Sequence, residues 1–270
     1  MLSIIIPVGP GRDAHQALSS LLTIGLDPSD EVIVVGDGHS LQLDEAFQSL
    51  PITLAATSEP MGANAARNLG ARMATGEVLC FLDDDDQYEA NYLAEIRSAV
   101  VDDTKSGAWS LGYRFLSGRN RGRDRRPSQI SENCIQRRNI AGGCSCMVLR
   151  KATFVESGGF DDAMASMQDW DFWIRLSRIT SITTIKEPLI IYNDSESPRI
   201  STNQAARISG LTRLLEKNAA HWPKPVIAFH EARLAAAKFS QGTGKWFDIF
   251  HWHAPVASLA FACKALRPLS

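Results

Sequence analysis

Four consecutive carboxylates, Asp83-Asp84-Asp85-Asp86, follow directly on an apolar run, Glu77-Val78-Leu79-Cys80-Phe81-Leu82. If the chain stays extended through them, side chains alternate between faces, and Asp83 and Asp85 share one side. Two ionised carboxylates about 6 Å apart repel by roughly 3 kcal/mol at an effective dielectric near 20. A divalent cation reverses that sign, and Mg2+ or Mn2+ takes oxygen ligands while keeping substrate phosphates in its shell. The carboxyl ends of strands are also where open α/β sheets place their ligands. A solvated acidic turn is the ordinary alternative, so the rest of the chain decides.

Three further groups carry chemistry. Asp37 lies in Val34-Val35-Gly36-Asp37-Gly38-His39-Ser40, just past an apolar run. There a carboxylate can accept hydrogen bonds from a base or ribose, and the flanking glycines permit close approach. A simple turn aspartate fits equally well. Arg67-Asn68 falls on a helical stretch before the acidic run, where Arg67 would counter Asp37 or Asp83, face a nucleotide, or sit on a solvated helix face. The last group is Met167-Gln168-Asp169-Trp170-Asp171-Phe172-Trp173. Trp170, Trp173, Ile174 and Ser177 share one helical face, which reads as core. Asp169 sits in the first turn, where the helix dipole favours an ionised carboxylate. It can act as a general base if it reaches a hydroxyl, and a helix N-cap accounts for it as well.

Positioning these side chains takes a sheet, and the sequence alternates accordingly. Residues 2–8 read as a strand closed by Pro and Gly, 14–24 as a helix with an apolar stripe, and 31–35 as a second strand. Next come a short helix at 44–50, a strand at 52–56, a helix at 62–74, a strand at 78–82 and a helix at 90–101. This βαβ rhythm predicts a mostly parallel sheet covered on both faces. Beyond it, residues 108–116 and 144–149 read as strands, and 151–157 and 169–179 as helices. Residues 182–191 read as strand pieces interrupted by Pro188. Residues 118–138 read as a loop dense in arginine. After residue 204 only helical patterns remain, at 205–218, 226–239 and 246 to about 266. A division into a domain over 1–202 and a helical extension over 203–270 follows.

Composition sets the outer bounds. At 270 residues, 44% hydrophobic and 21% charged, the chain can bury one large core with an appendage. A net charge of −2 gives no reason to expect nucleic acid. Five cysteines without C-x-x-C spacing read as single buried thiols in a reducing compartment. The N-terminus lacks a basic region and its apolar run stops at Pro7, so it reads as a strand and not a signal peptide. No apolar stretch approaches the ~18 residues of a membrane span, and a cytoplasmic location is expected.

In order and spacing, the chain resembles the inverting family 2 glycosyltransferases of GT-A fold. Their pattern is a first strand ending in Pro, a DDGS-type turn, N-x-G-x-x-x-A-R-N-x-G, F-L-D-x-D-D, G-G-F-D, then E-D-x-D followed by W-x-R. Here these are Ser3-Ile4-Ile5-Ile6-Pro7, Gly36-Asp37-Gly38, Gly62 through Ala66-Arg67-Asn68-Leu69-Gly70, and Phe81-Leu82-Asp83-Asp84-Asp85-Asp86. Gly158-Gly159-Phe160-Asp161 and Gln168-Asp169-Trp170-Asp171 with Trp173-Ile174-Arg175 complete the set. The resemblance covers about residues 2–195.

It implies a nucleotide-diphosphate sugar donor, a UDP-sugar first, held by Pro7, Asp37, Arg67, Asp83 and Asp84. It implies Mg2+ or Mn2+ on Asp85, Asp169 as the base, and Gln168, Asp86 and Asp171 in support. The acceptor would be a saccharide or a lipid-linked molecule, in polysaccharide or glycoconjugate synthesis. Gly36 stands where the family has Asp, Pro60 where it often has Asn, and Gln168 where it has Glu. Two rival classes remain: a non-catalytic nucleotide-sugar-binding protein on this fold, and a sugar-nucleotidyltransferase. The latter would want a better phosphate loop than Val8-Gly9-Pro10-Gly11-Arg12, where Pro10 lacks an N–H. The arginine-rich loop suits a phosphorylated acceptor or a solvated surface. The apolar tail with Lys245, Lys264 and Arg267 suits a peripheral membrane contact, packing on the domain, or a homodimer contact.

Overall fold

A computed structural model describes residues 1–119, 124–195 and 203–241. Two compact units divide the chain: Met1–Asp162 with Asp169–Glu196, and Ala163–Gln168 with the chain from Ser197 onward. The first holds a nine-stranded mixed sheet. Its strands are β1 (Leu2–Val8), β2 (Glu31–Gly36), β3 (Ile52–Ala56), β4 (Val78–Phe81), β5 (Gln87–Tyr88), β6 (Ser106–Phe115), β7 (Gln129–Ile130), β8 (Met147–Arg150) and β9 (Ser181–Tyr192). The order is β3-β2-β1-β4-β8-β6-β9-β5, with β7 also on β9. Pairing is parallel through β3-β2-β1-β4 and between β6 and β9, and antiparallel where β8 sits between β4 and β6.

Helices cover both faces. On one, Ile4, Ile6, Val32, Val34, Cys80 and Leu82 meet Ala17, Leu18 and Leu21 of α1 (His15–Leu21) and Tyr92, Leu93 and Ile96 of α3 (Tyr92–Asp102) in one buried cluster. On the other, α2 (Ala63–Met73) packs on β1 and β2. There Phe81 lies 5.3 Å, centroid to centroid, from Phe160, and Phe160 lies 4.3 Å from Phe172. Phe172 belongs to α6 (Gln168–Ile179), whose Trp170, Trp173 and Ile174 are buried as the helical pattern predicts. The short helices α4 (Glu132–Ile135) and α5 (Lys151–Ser157) complete this unit. In the second unit, α7 (Gln204–Asn218) packs against α8 (Lys224–Ser240).

Three expectations need correction. Residues 118–138 are not all loop: β7 and α4 form within them, because Ile130 and Ile135 bury fully enough to anchor both. The pieces around Pro188 form one strand, β9. Lys186 and Glu187 bulge out between Leu111↔Ile185 and Gly112↔Pro188, so Pro188 sits at an irregularity where no ladder N–H is required. Residues 144–146 make a turn of 3-10 helix before β8, whereas a strand was expected from residue 144. The helix expected over 246–266 lies outside the described residues, as do Arg121 and Arg123. No described helix is long and apolar enough to cross a membrane.

Candidate active site

The acidic run is a β-turn, not extended chain. The strand stops at Phe81, and Asp86 N donates to Asp83 O at 3.1 Å. Aspartates are favoured in such turns because their side chains bond nearby backbone. The turn still sorts the four carboxylates into two kinds. Asp84 and Asp86 are 8% and 2% exposed, whereas the side chains of Asp83 and Asp85 are 27% and 32% exposed.

The two buried carboxylates are scaffold. Asp86 accepts from Ser145 Oγ at 2.6 Å and from Asn193 N at 3.0 Å. Burial raises its proton affinity, Asp83 adds to this, and these two hydrogen bonds oppose it. Ser145 Oγ in turn accepts from Asp83 N at 3.0 Å, so one fully buried hydroxyl braces both ends of the turn. Ser145→Ala is expected to lower stability by ~1–3 kcal/mol, the cost of leaving buried polar groups without a partner. A thermal melt checks this, and an unchanged Tm would show the hydroxyl to be dispensable.

Asp84 accepts from Arg12 Nε and Nη2 at 2.8 and 2.6 Å and faces Gly9 N at 3.3 Å. Burial pushes its carboxyl up to about 6 against the pull of Arg12. The same Arg12 Nη2 lies 2.9 Å from Asp85 Oδ2. Asp83 receives Arg67 Nη2 on Oδ1. Arg67 is 3% exposed, and its Nη1 also donates to Asn64 Oδ1 at 3.4 Å. Burial opposes its charge, but Asp83 outweighs burial and holds it protonated.

Asp169, in the first turn of α6, joins this neighbourhood from the far side of the sequence. Its Oδ1 accepts from Trp170 N at 2.8 Å and its Oδ2 from Asn139 Nδ2 at 2.9 Å. The residue is partly open to solvent, but dense protein around the carboxylate pushes it up to about 6, with Arg67 pulling down and Asp83 pushing up. Arg67, Asp83 and Asp169 are therefore close enough to act on one another's charge. Asp171 is buried and points elsewhere, accepting from Arg175 Nε at 2.9 Å, while Arg175 Nη1 donates to Ser157 O at the end of α5. Gln168 opens α6.

Asp37 is 5% exposed and already occupied by backbone. Its Oδ1 accepts from Met61 N at 2.7 Å and Gly62 N at 2.9 Å, just ahead of α2. Gly36 has a packing reason, since an added Cβ would lie 2.1 Å from His39 O. The space an aspartate would need here is filled by this chain's own backbone. Pro7 is buried in β1 opposite Val35, beyond Ile5↔Phe81 where β4 stops pairing, so its missing N–H leaves no gap in that ladder.

Sequence reasoning missed Ser145, Asn139 and Arg12. It also missed that Asn64 and Asn68 clamp the Gly-Gly-Phe-Asp segment. Asn64 Nδ2 donates to Asp161 O, Asn68 Nδ2 donates to Phe160 O, and Phe160 N donates to Asn68 Oδ1, all at 2.9 Å.

Among the described residues no group of three or more acidic, Cys or His side chains is arranged to hold an ion alone. Asp83 and Asp85 nevertheless fit a hard cation. Both are open, and each keeps one oxygen without a described hydrogen bond. Mg2+ typically takes one or two carboxylates and completes its shell with substrate phosphates and water.

The family model for glycosyl transferase family 2 matches residues 3–158. An uncharacterized glycosyltransferase of Haemophilus influenzae is 29% identical over 201 residues, spanning 70% of this chain and 67% of that protein. The uncharacterized glycosyltransferase YwdF of Bacillus subtilis is 25% identical over 212 residues, spanning 75% and 78%. Among solved structures, S. aureus TarS 1–349 in complex with UDP-GlcNAc superposes with a TM-score of 0.66 at 15% identity, covering 98% of this chain and 79% of that one. The mannosyltransferase PcManGT of Pyrobaculum calidifontis, in complex with GDP-Man and Mn2+, gives 0.60 at 17% identity, covering 98% and 79%. At these identities the structural likeness is one of fold.

Proposed function

The chain belongs to glycosyl transferase family 2 and has the GT-A fold, and we propose that it is a metal-dependent, inverting transferase moving a sugar from a nucleotide-diphosphate donor, a UDP-sugar first, to an acceptor hydroxyl. The observation that carries this is the gathering of Asp83, Arg67 and Asp169 beside a turn whose two open carboxylates are Asp83 and Asp85. The solved relatives that hold UDP-GlcNAc, or GDP-Man with Mn2+, support a nucleotide-sugar donor and a divalent ion.

In this reading Asp85, with Asp83, would hold Mg2+ or Mn2+. When bound, the ion would neutralise charge on the departing diphosphate. Asp169 accepts the proton of the acceptor hydroxyl as that oxygen attacks the anomeric carbon. The bond from that carbon to the diphosphate oxygen breaks with its electron pair, and the configuration inverts. Asn139, donating to Asp169 Oδ2, holds the base in place. Arg67 keeps Asp83 oriented, and Asp37 fixes the loop into α2.

The decisive assay is hydrolysis of a panel of nucleotide sugars with and without Mn2+. Mn2+-dependent release of a nucleoside diphosphate from one of them is expected. Binding without turnover under any condition would instead assign a non-catalytic role, and products from a nucleoside triphosphate with a sugar phosphate would assign nucleotidyl transfer.

A pH dependence follows. The Asp169 carboxyl is raised to about 6 by burial, and a base must be ionised. The kcat/KM is therefore expected to fall as pH drops through about 6 and to level off above it. A flat profile from about pH 5 to 8 contradicts the assignment.

A further inference from the structure

A cleft of about 490 Å3 lies in the sheet-bearing unit, and Arg125, Arg138 and Lys186 stand on its rim with Asn139 in its wall. The three cations are exposed, and none makes a hydrogen bond or ion pair with a described residue. A fourth, Arg126, is built differently. It is 7% exposed and tied to Asp124, Ser110 Oγ and Leu111 O, and so it serves as the frame on which Arg125 is held. Four cations against the single carboxylate Asp124 leave the lining with a net charge of +3, on a chain whose overall charge is −2. Positive charge concentrated in a concave site focuses the field there.

The backbone creates this concentration. Lys186 reaches the rim because it belongs to the bulge between Ile185 and Pro188. That bulge needs glycine opposite, since a Cβ on Gly112 would lie 2.3 Å from Glu187 O. Arg138 comes from the segment after α4, and Arg125 from the segment before β7. Three separate parts of the sequence thus bring to one place cations that no described residue pairs.

The cleft also reaches the proposed base through a single side chain. Asn139 Nδ2 donates to Asp169 Oδ2 at 2.9 Å and to Gly142 O at 3.0 Å, and Gly142 lines the same cleft. We propose that this cleft is the acceptor subsite and that it takes an acceptor bearing a phosphate or pyrophosphate group. Guanidinium groups grip such oxygens in a planar, two-point fashion, and no described carboxylate or hydroxyl competes for Arg125 or Arg138 here. This rests on Asp169 being the base of glycosyl transfer. The acidic turn serves the donor, and the cleft gives the second substrate a separate anion-binding site beside the base.

The test uses the full-length protein in EDTA, so that the acidic turn binds no metal-linked phosphate, with inorganic pyrophosphate as probe and calorimetry as readout. Wild type is expected to bind, more weakly as salt is raised. The triple variant R125Q/R138Q/K186Q is expected to bind at least ~10-fold less tightly, with an unchanged Tm because none of the three makes a hydrogen bond or ion pair with a described residue. Asp85→Asn should bind pyrophosphate like wild type. Cosedimentation with phosphatidylcholine vesicles, plain or doped with phosphatidic acid, distinguishes a lipid headgroup from a soluble phosphate. Binding of doped vesicles that the triple variant loses assigns the headgroup, and pyrophosphate binding alone assigns the soluble group. No pyrophosphate binding by wild type, or equal binding by the triple variant, overturns the subsite. If instead the cleft binds as expected while Asp85→Asn and Asp169→Asn leave donor hydrolysis intact, the transferase reading falls and the anion site stands.

Discussion

Asp169→Asn is expected to lower turnover by ~10²–10⁴-fold, the usual contribution of a positioned general base, while Mn2+-dependent nucleotide binding survives. The amide keeps the shape and can still accept from Asn139 Nδ2 or Trp170 N through its oxygen, so the first turn of α6 should hold. At neutral pH two effects on stability oppose each other: the amide removes a charge held in dense protein, and its NH2 faces one of the two donors that the carboxylate satisfied. With a carboxyl raised to about 6, this group's contribution to stability is present below its unfolded value and is lost as pH rises through about 6. At neutral pH the charged form is therefore a cost that Asn removes. Pairing kcat with a binding isotherm and a melt separates the two roles. A variant that loses nucleotide binding and Tm together has lost a structural cap, and the base assignment fails.

Asp85→Asn is expected to reduce both transfer and donor hydrolysis at least ~10²-fold, because the ion supplies several kcal/mol of stabilisation to the departing diphosphate. A neutral amide is a poor ligand for Mg2+ or Mn2+. Excess Mn2+ should restore part of the activity, which it cannot do for Asp169→Asn. Titrating Mn2+ by electron paramagnetic resonance in the presence of nucleoside diphosphate gives an independent readout. Near-normal activity at low Mn2+ would place the ion elsewhere.

The local parts of this structure were legible in the sequence. Apolar runs gave β1 through β4, and helical stripes gave α2, α3 and α6, because in these elements a buried face repeats at a fixed interval. The acidic turn was conspicuous because four adjacent carboxylates after a buried strand repel one another, and Asp169 because it falls in a run of aromatics at a helix start, where an ionised carboxylate is favoured. Contacts across the chain were not legible. Ser145 is a small polar residue between two cysteines, and nothing local says that its hydroxyl reaches both Asp83 and Asp86. Asn139 sits in an arginine-rich stretch, and only tertiary folding sets it on Asp169. Pro188 looked like a break because a ladder cannot normally tolerate it, and the bulge beside Gly112 removes that objection. The arginines of residues 118–138 looked alike, yet Arg126 is interior structure and Arg119 stacks 4.3 Å over Phe115. Arg12 came nearest to being found. It follows the strand whose carboxyl end faces the ligand edge, but the Gly-Pro-Gly before it resembles a poor phosphate loop and gives no hint of an ion pair with Asp84.

Arg12 has a consequence for how the acidic turn is loaded. Its guanidinium already lies on Asp84 and within 2.9 Å of Asp85, so the turn carries a resident counter-ion and is not bare negative charge. A divalent ion arriving alone on the open oxygens of Asp83 and Asp85 would face that positive charge at close range. An ion arriving with a diphosphate brings an anion that can sit between the two. Loading would then be ordered, with ion and nucleotide taken up together and stray divalent ions refused.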